Sequence, residues 1–402
     1  MTETIPVTVL SGALGAGKTT TLNHVLTADH GYEVAVVVND MGEVNVDAEL
    51  VADRSELSQT DEEIIELSNG CICCRLRGDM LEAVGALVEN REFDYLLVES
   101  SGISEPIPVA QTFALGFEDA SYDPTEDFEL DTMVSVVDAH AMWRTFDSGT
   151  ALTDESARTD DPRVPEEVLI DQIEFCDVLL LNKCDLVPDE ELDAIEELLR
   201  TLQPRAEVVR TEFGRVDPAR ILDTGRFDFE AAQDSAGWKH ELHHDHHHDP
   251  EEEHGVASFV FRADRPVHPE RFADLLGELP PEVIRAKGFF WSAGREDVAM
   301  GLDKSGMSVR AGPTGRWIAN LPPQQQERYL QTVPGLEAEW DDRWGDRGVE
   351  LVFIGRDYDR EALEVALETT VLTDEEFNND DWGRYPDPFG TDGQKELALA
   401  DD

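Results

Sequence analysis

Gly12-Ala13-Leu14-Gly15-Ala16-Gly17-Lys18-Thr19 follows the apolar run of residues 5–10 and opens the helical pattern of residues 18–26, and no other stretch restricts the fold as much. A glycine-rich turn between a strand and a helix lets backbone N–H groups point inward with no Cβ in the way. The helix N-terminus adds its partial positive charge. Such a cradle suits the phosphates of a nucleotide. Lys18 is then placed to neutralise β and γ oxygens and the Thr19 hydroxyl to meet Mg²⁺, with Gly12 to Gly17 and Thr20 completing the phosphate-binding set.

A loop of this kind needs a parallel sheet behind it, and the first half of the chain has the matching pattern. Apolar runs at residues 5–10, 34–39, 95–99, 133–138 and 178–182 read as buried strands, and helical stretches at 18–26, 80–89, 164–175 and 189–202 fall between them. Alternation of this type predicts an α/β domain over residues 1–225, with a parallel sheet and helices on both faces. Residues 226–255 carry no apolar periodicity and read as an acidic, His-rich linker. A smaller α+β domain is expected over 256–372. An acidic, poorly ordered tail is expected from 373 to 402.

Asn182-Lys183-Cys184-Asp185 closes one of the buried strands. The Asp185 carboxylate can accept two hydrogen bonds, from N1–H and the exocyclic amine of guanine, whereas adenine offers no such donor pair and would leave the charge unpaired. GTP is therefore expected over ATP, with Asn182, Lys183 and Asp185 at the base; a phosphate-loop kinase or ATPase would use the same Lys18 and Thr19 without this motif. Glu99-Ser100-Ser101-Gly102 ends another strand. Glu99 can hold Mg²⁺ through water, and Gly102 allows close approach to the γ-phosphate. Lys18, Thr19 and Glu99 are the expected catalytic set. Asn39-Asp40-Met41-Gly42-Glu43, with Asp47 beyond it, ends a further strand and reads as a switch segment.

Cys71, Cys73 and Cys74 are three of five cysteines and lie within four residues. Thiolates at this spacing can converge on one borderline or soft ion such as Zn²⁺ or Co²⁺, leaving one position open. A redox pair or a small buried turn is the other reading of such a cluster. Because the cluster lies between the switch and the Glu99 strand, a segment ordered by the γ-phosphate could also reposition the thiolates. Seven of the eleven histidines fall between His240 and His254. Of these, His243, His244, His246, His247 and His248 are candidate loading ligands for a divalent metal, against the alternative of a solvated connector.

Charge excludes some functions. Lys+Arg is 32 against Asp+Glu 88, a formal net charge of −56, which repels nucleic-acid phosphates and anionic membranes. Lysine occurs at only six positions, so arginine supplies most of the positive charge. Such a surface suits high salt, where a Debye length of about 3 Å at 1 M screens its self-repulsion. There is no apolar run of membrane-spanning length and no secretory pattern at the start, and the odd, clustered cysteines suit a reducing compartment; a cytoplasmic protein is expected.

Together, residues 12–19, Glu99-Ser100-Ser101-Gly102, Asn182-Lys183-Cys184-Asp185 and Asn69-Gly70-Cys71-Ile72-Cys73-Cys74 resemble the CobW-type phosphate-loop GTPases, a family of metal chaperones and cobalamin-synthesis-associated proteins. Residues 285–291 and Glu350-Leu351-Val352-Phe353-Ile354-Gly355-Arg356 look like strands of that family's C-terminal domain, so the resemblance spans almost the whole chain. It implies a protein that hydrolyses GTP, binds a divalent metal at Cys71, Cys73 and Cys74, and passes it to a metal-requiring client, with a link to cobalamin synthesis. A non-enzymatic metal buffer or sensor is the alternative, as is a GTPase in which the metal regulates and is not cargo. The family's switch usually reads Asn-Glu-Phe-Gly-Glu. Here Asp40 stands one methylene shorter, which bears on Asp40 and Glu43 as further metal ligands.

Overall fold

The computed structural model describes residues 4–39, 64–67, 84–85, 88, 93–100, 106–116, 122–148, 165–233, 236–237, 239, 255–332, 336–379, 381–390 and 393–397. The chain divides into two compact units, Met1–Gly237 and Trp238–Asp402.

The first unit is built on strands β1 (Ile5–Gly12), β2 (Val34–Asn39), β3 (Ile64–Leu67), β4 (Tyr95–Glu99), β5 (Phe128–Asp138), β6 (Val178–Asn182) and β7 (Glu207–Arg210). They form one sheet in the order β3-β2-β4-β1-β5-β6-β7, and every pairing is parallel. The runs Tyr95–Glu99 and Val178–Asn182 are buried at every position. Residues of both parities are therefore shielded from water, which requires cover on both faces and explains why these strands read as continuous apolar runs. Helix α1 (Lys18–Thr27) supplies part of that cover: Leu22, Val25 and Leu26 pack with Leu10, Val36, Leu97, Val134 and Leu180. The five strands expected from the sequence are all present; β3 and β7 are additions at the two edges.

Residues after 225 remain part of this unit. The Phe227 amide donates to the Asp131 carbonyl at 3.0 Å, Phe227 lies edge-on to Phe175, and residues Phe229–Gln233 form a short helix. The sequence places the linker from 226; the first unit instead runs on to Gly237, with Phe227 set between Phe175 and Phe229.

The second unit is a six-stranded antiparallel sheet of β8 (Val256–Ala263), β9 (Val283–Phe290), β10 (Ala299–Ser305), β11 (Ser308–Gly315), β12 (Val349–Arg356) and β13 (Lys395–Glu396), in the order β13-β11-β10-β9-β12-β8. Phe272 and Leu276 of the helix Pro269–Gly277 and Leu363 and Leu367 of the helix Arg360–Thr370 join its core. The segment expected as an acidic, poorly ordered tail carries defined structure at several places among its described residues. Thr373 and Glu376 form a reciprocal capping box, Trp382 and Phe389 are buried, and Lys395–Glu396 pairs with β11.

Candidate functional site

A parallel sheet delivers the C-terminal ends of its strands to one edge, where ligands of open α/β folds bind. Here β1 ends at Gly12 beside Val136, Leu10 pairs with Glu99 at the end of β4, and Asp138 pairs with Asn182 at the ends of β5 and β6. The register alone brings the phosphate loop, the acidic strand tip and the Asn182 motif to the same edge.

The glycines of the loop are needed where they stand. Gly12 has φ 141°, and a Cβ there would lie 2.3 Å from the Val136 carbonyl oxygen. Gly17 has φ 109° and precedes α1; a Cβ on it would lie 2.3 Å from Asn182 Nδ2. Lys18 is 8% exposed, and its Nζ donates to the carbonyls of Gly12 at 3.0 Å and Ala13 at 3.2 Å, so the ammonium lies across the loop. Thr19 Oγ1 donates to Glu99 Oε1 at 3.0 Å, and Glu99 is 3% exposed. A hydroxyl and a buried carboxylate side by side form a hard-oxygen donor set that fits Mg²⁺.

Asn182 joins this loop to the base motif. Its Nδ2 donates to the Ala16 carbonyl at 2.9 Å, and its Oδ1 accepts from Thr211 Oγ1 at 3.1 Å and the Gly214 amide at 3.0 Å. Lys183 takes a left-handed conformation, φ 63°, and its Nζ donates to Asp138 Oδ2 at 2.5 Å. The other oxygen of Asp138 accepts from the Ala141 amide at 3.1 Å at the start of the helix Ala139–Ser148. One carboxylate therefore fixes a lysine of the motif and caps a helix. Asp185 is exposed at this edge, where a base edge can reach it. Cys184 is buried and its thiol, pushed up by burial, donates to the Leu181 carbonyl at 3.1 Å, which makes it a packing residue.

Gly12, Ala13, Leu14, Gly15, Ala16, Gly17, Lys18, Thr19, Thr20, Glu99, Asn182, Lys183 and Asp185 are thus carried by the ends of three strands of one sheet and by α1. Asp138, Thr211 and Gly214 are site residues the sequence reading missed. Their signal was the end of an expected strand for Asp138 and, for the other two, only a Thr and a Gly after a short edge strand. Gly102, Asp40, Glu43, Cys71, Cys73, Cys74, His243, His244, His246, His247 and His248 lie outside the described residues. Among the described residues no group of three His, Cys, Asp or Glu side chains could hold a metal ion, and no helix is long and apolar enough to cross a membrane.

Comparison with known proteins agrees with this geometry. The chain is 39% identical, over an alignment 411 positions long, to the zinc-regulated GTPase metalloprotein activator 1 of Dictyostelium discoideum, covering 98% of this chain and 86% of the relative. It is 29% identical to the zinc chaperone CobW of Sinorhizobium sp, covering 91% of this chain and 97% of the relative. It is 28% identical to the zinc chaperone YjiA of Escherichia coli (strain K12), covering 90% and 98%. Residues 6–210 match the family described as CobW/HypB/UreG, nucleotide-binding domain, and residues 256–371 match the cobalamin synthesis protein cobW C-terminal domain. The chain belongs to the CobW/HypB/UreG family of nucleotide-binding proteins and carries the CobW C-terminal domain.

Proposed function

We propose that this chain is a GTP-hydrolysing metallochaperone: it binds GTP at the edge formed by residues 12–20, Glu99 and Asn182–Asp185, holds a divalent metal at Cys71, Cys73 and Cys74, and transfers that metal to a client protein. The observation that carries the reading is the hydrogen bond from Asn182 Nδ2 to the Ala16 carbonyl, because it joins a phosphate-binding loop to a guanine-reading motif in one site. Relatives named as zinc-regulated GTPases and zinc chaperones support both halves of it.

In this reading Lys18 neutralises the phosphate oxygens, and the backbone amides of the loop orient them. Glu99 and Thr19 would hold Mg²⁺, which when bound would supply positive charge to the phosphates. Asp185 accepts from the guanine edge, and Asn182 keeps the two motifs in register. Intrinsic turnover is expected to be slow, about 10⁻⁴ to 10⁻² s⁻¹, by analogy with unassisted GTPases. Asp40 and Glu43 extend the thiolate site, and His243, His244, His246, His247 and His248 collect metal for it. Zn²⁺ is the favoured cargo and Co²⁺ the other candidate, since thiolate chemistry accepts both. The protein acts in the cytoplasm, and cobalamin synthesis is one place for its client.

The test is a competition titration in molar salt. GTP must displace a fluorescent guanine nucleotide far more effectively than ATP, and phosphate release must require Lys18. Equal displacement by ATP would remove the guanine reading, and turnover retained in Lys18→Ala would remove the hydrolytic one.

A further inference from the structure

Among the described residues four that are not glycine have positive φ, and two of them, Lys183 at 63° and Phe213 at 54°, lie in the two loops that meet at Asn182. For a bulky aromatic residue the left-handed region is a costly outlier, and it persists only where the surroundings impose it. Here they do. Thr211 Oγ1 and the Gly214 amide both donate to Asn182 Oδ1, and the Thr211 carbonyl accepts from the Cys184 amide at 3.2 Å. Both ends of Thr211-Glu212-Phe213-Gly214 are therefore tied to the guanine motif. Gly214, φ 65°, also approaches α1 so closely that a Cβ would lie 2.7 Å from the Thr21 amide nitrogen.

The product of this bracing is a phenylalanine that packs into no core and is 61% exposed. Glycine would satisfy the backbone at this position better, and a polar residue would satisfy solvent better. Leu186, next to Asp185, is likewise half exposed. Exposed apolar side chains thus stand on both segments of this edge, on the motif that carries Asp185 and on the loop bonded to it, and the faces of a purine are likewise apolar and aromatic. We propose that Phe213 is a stacking platform for the guanine ring of GTP and GDP. The inference rests on the reading of this edge as a guanine-nucleotide site. In it Asp185 supplies edge recognition, and Phe213 removes one face of the base from water.

Full-length wild type, Phe213→Gly, Phe213→Leu and Phe213→Trp are compared by calorimetric titration with GDP and with inorganic tripolyphosphate, which has no base, and by thermal melting without nucleotide. Stacking of a base on an aromatic side chain is worth roughly tenfold or more in affinity. Phe213→Gly is expected to melt no lower than wild type, since it relieves the left-handed strain, yet to bind GDP at least about tenfold more weakly. Phe213→Leu follows it, Phe213→Trp keeps the affinity and loses indole emission on GDP binding, and tripolyphosphate binds all four alike. GDP affinity of Phe213→Gly within threefold of wild type overturns the platform while leaving the site intact. A parallel loss of tripolyphosphate affinity, or a lowered melting temperature, overturns it in favour of a structural role. A wild type that binds tripolyphosphate but not GDP overturns the guanine reading itself.

Discussion

Asn182 holds Ala16: its amide nitrogen donates to the Ala16 carbonyl at 2.9 Å while its oxygen accepts from Thr211 and Gly214, so a single buried side chain links the phosphate loop, the guanine motif and the loop after β7. Asn182→Ala leaves these groups facing a cavity, and the unmet donors and acceptors cost about 2–4 kcal/mol of stability. Asn182→Asp keeps the acceptor for Thr211 and Gly214 but sets an oxygen against the Ala16 carbonyl. We expect both to weaken GDP binding by about a hundredfold or more, with Asn182→Asp isolating the loop contact. Calorimetric titration with GDP, alongside denaturant unfolding, checks this.

Asp185 is exposed at the strand edge, and in the proposed guanine site it accepts two donors from the base. Asp185→Asn replaces one acceptor with a donor, which suits xanthine, whose C2 carries an oxygen. The variant is expected to lose GTP by about a hundredfold and to gain XTP correspondingly. Competition of the two nucleotides against one fluorescent analogue reads both changes.

The second unit carries an ion pair between a buried arginine and a half-buried aspartate. Arg285 is 0% exposed and donates to Asp303, to Ser305 Oγ at 2.9 Å and to the Lys304 carbonyl at 3.2 Å, while Lys287 Nζ lies 3.0 Å from the same Asp303. Burial pushes the Asp303 carboxyl up, but Arg285 and Lys287 outweigh it and hold the group at about 2. Its folded value lies below its ordinary one, so its contribution is complete above about pH 4 and is lost as pH falls through about 2. Asp303→Asn is expected to cost about 3 kcal/mol at neutral pH, because the buried guanidinium loses this carboxylate. The deficit should shrink between about pH 4 and pH 2. Denaturant unfolding of both proteins across that range gives the difference.

The net charge of −56 implies a folded state that self-repulsion weakens when screening is poor. The melting temperature is expected to rise steadily from about 0.2 M to about 2 M KCl, since the Debye length shortens to a few ångströms over that range. A flat profile would remove the high-salt reading.

The sheet and the nucleotide edge were legible because their determinants are local. Gly12, Gly17 and Lys18 act through backbone geometry within one turn, and runs such as Val178–Asn182 are buried on both faces and so apolar at every position. β3 and β7 have four residues each and take their identity from a neighbouring strand, a non-local pairing that composition does not carry. The hairpin of β10 and β11 was hidden by Gly, Asp, Lys and Pro, which the antiparallel partners accommodate. In the last thirty residues, averaged acidity masked Trp382 and Phe389, both of which are buried. Asp138 and Phe213 were invisible for another reason: one is an ordinary strand-end carboxylate and the other an ordinary loop aromatic, and only the bonds to Lys183 and Asn182 around them give them a role.

Metal transfer driven by GTP, as proposed, requires that nucleotide state change metal affinity at Cys71, Cys73 and Cys74. This requirement is tested by measuring Zn²⁺ affinity of the full-length chain in molar salt, by competition with a chromogenic chelator, once with GDP and once with a non-hydrolysable GTP analogue. Coupled sites typically differ by about 5- to 150-fold. The expected result is a difference in that range that disappears in the Cys71→Ser, Cys73→Ser, Cys74→Ser variant. Equal Zn²⁺ affinity in the two nucleotide states would contradict the account.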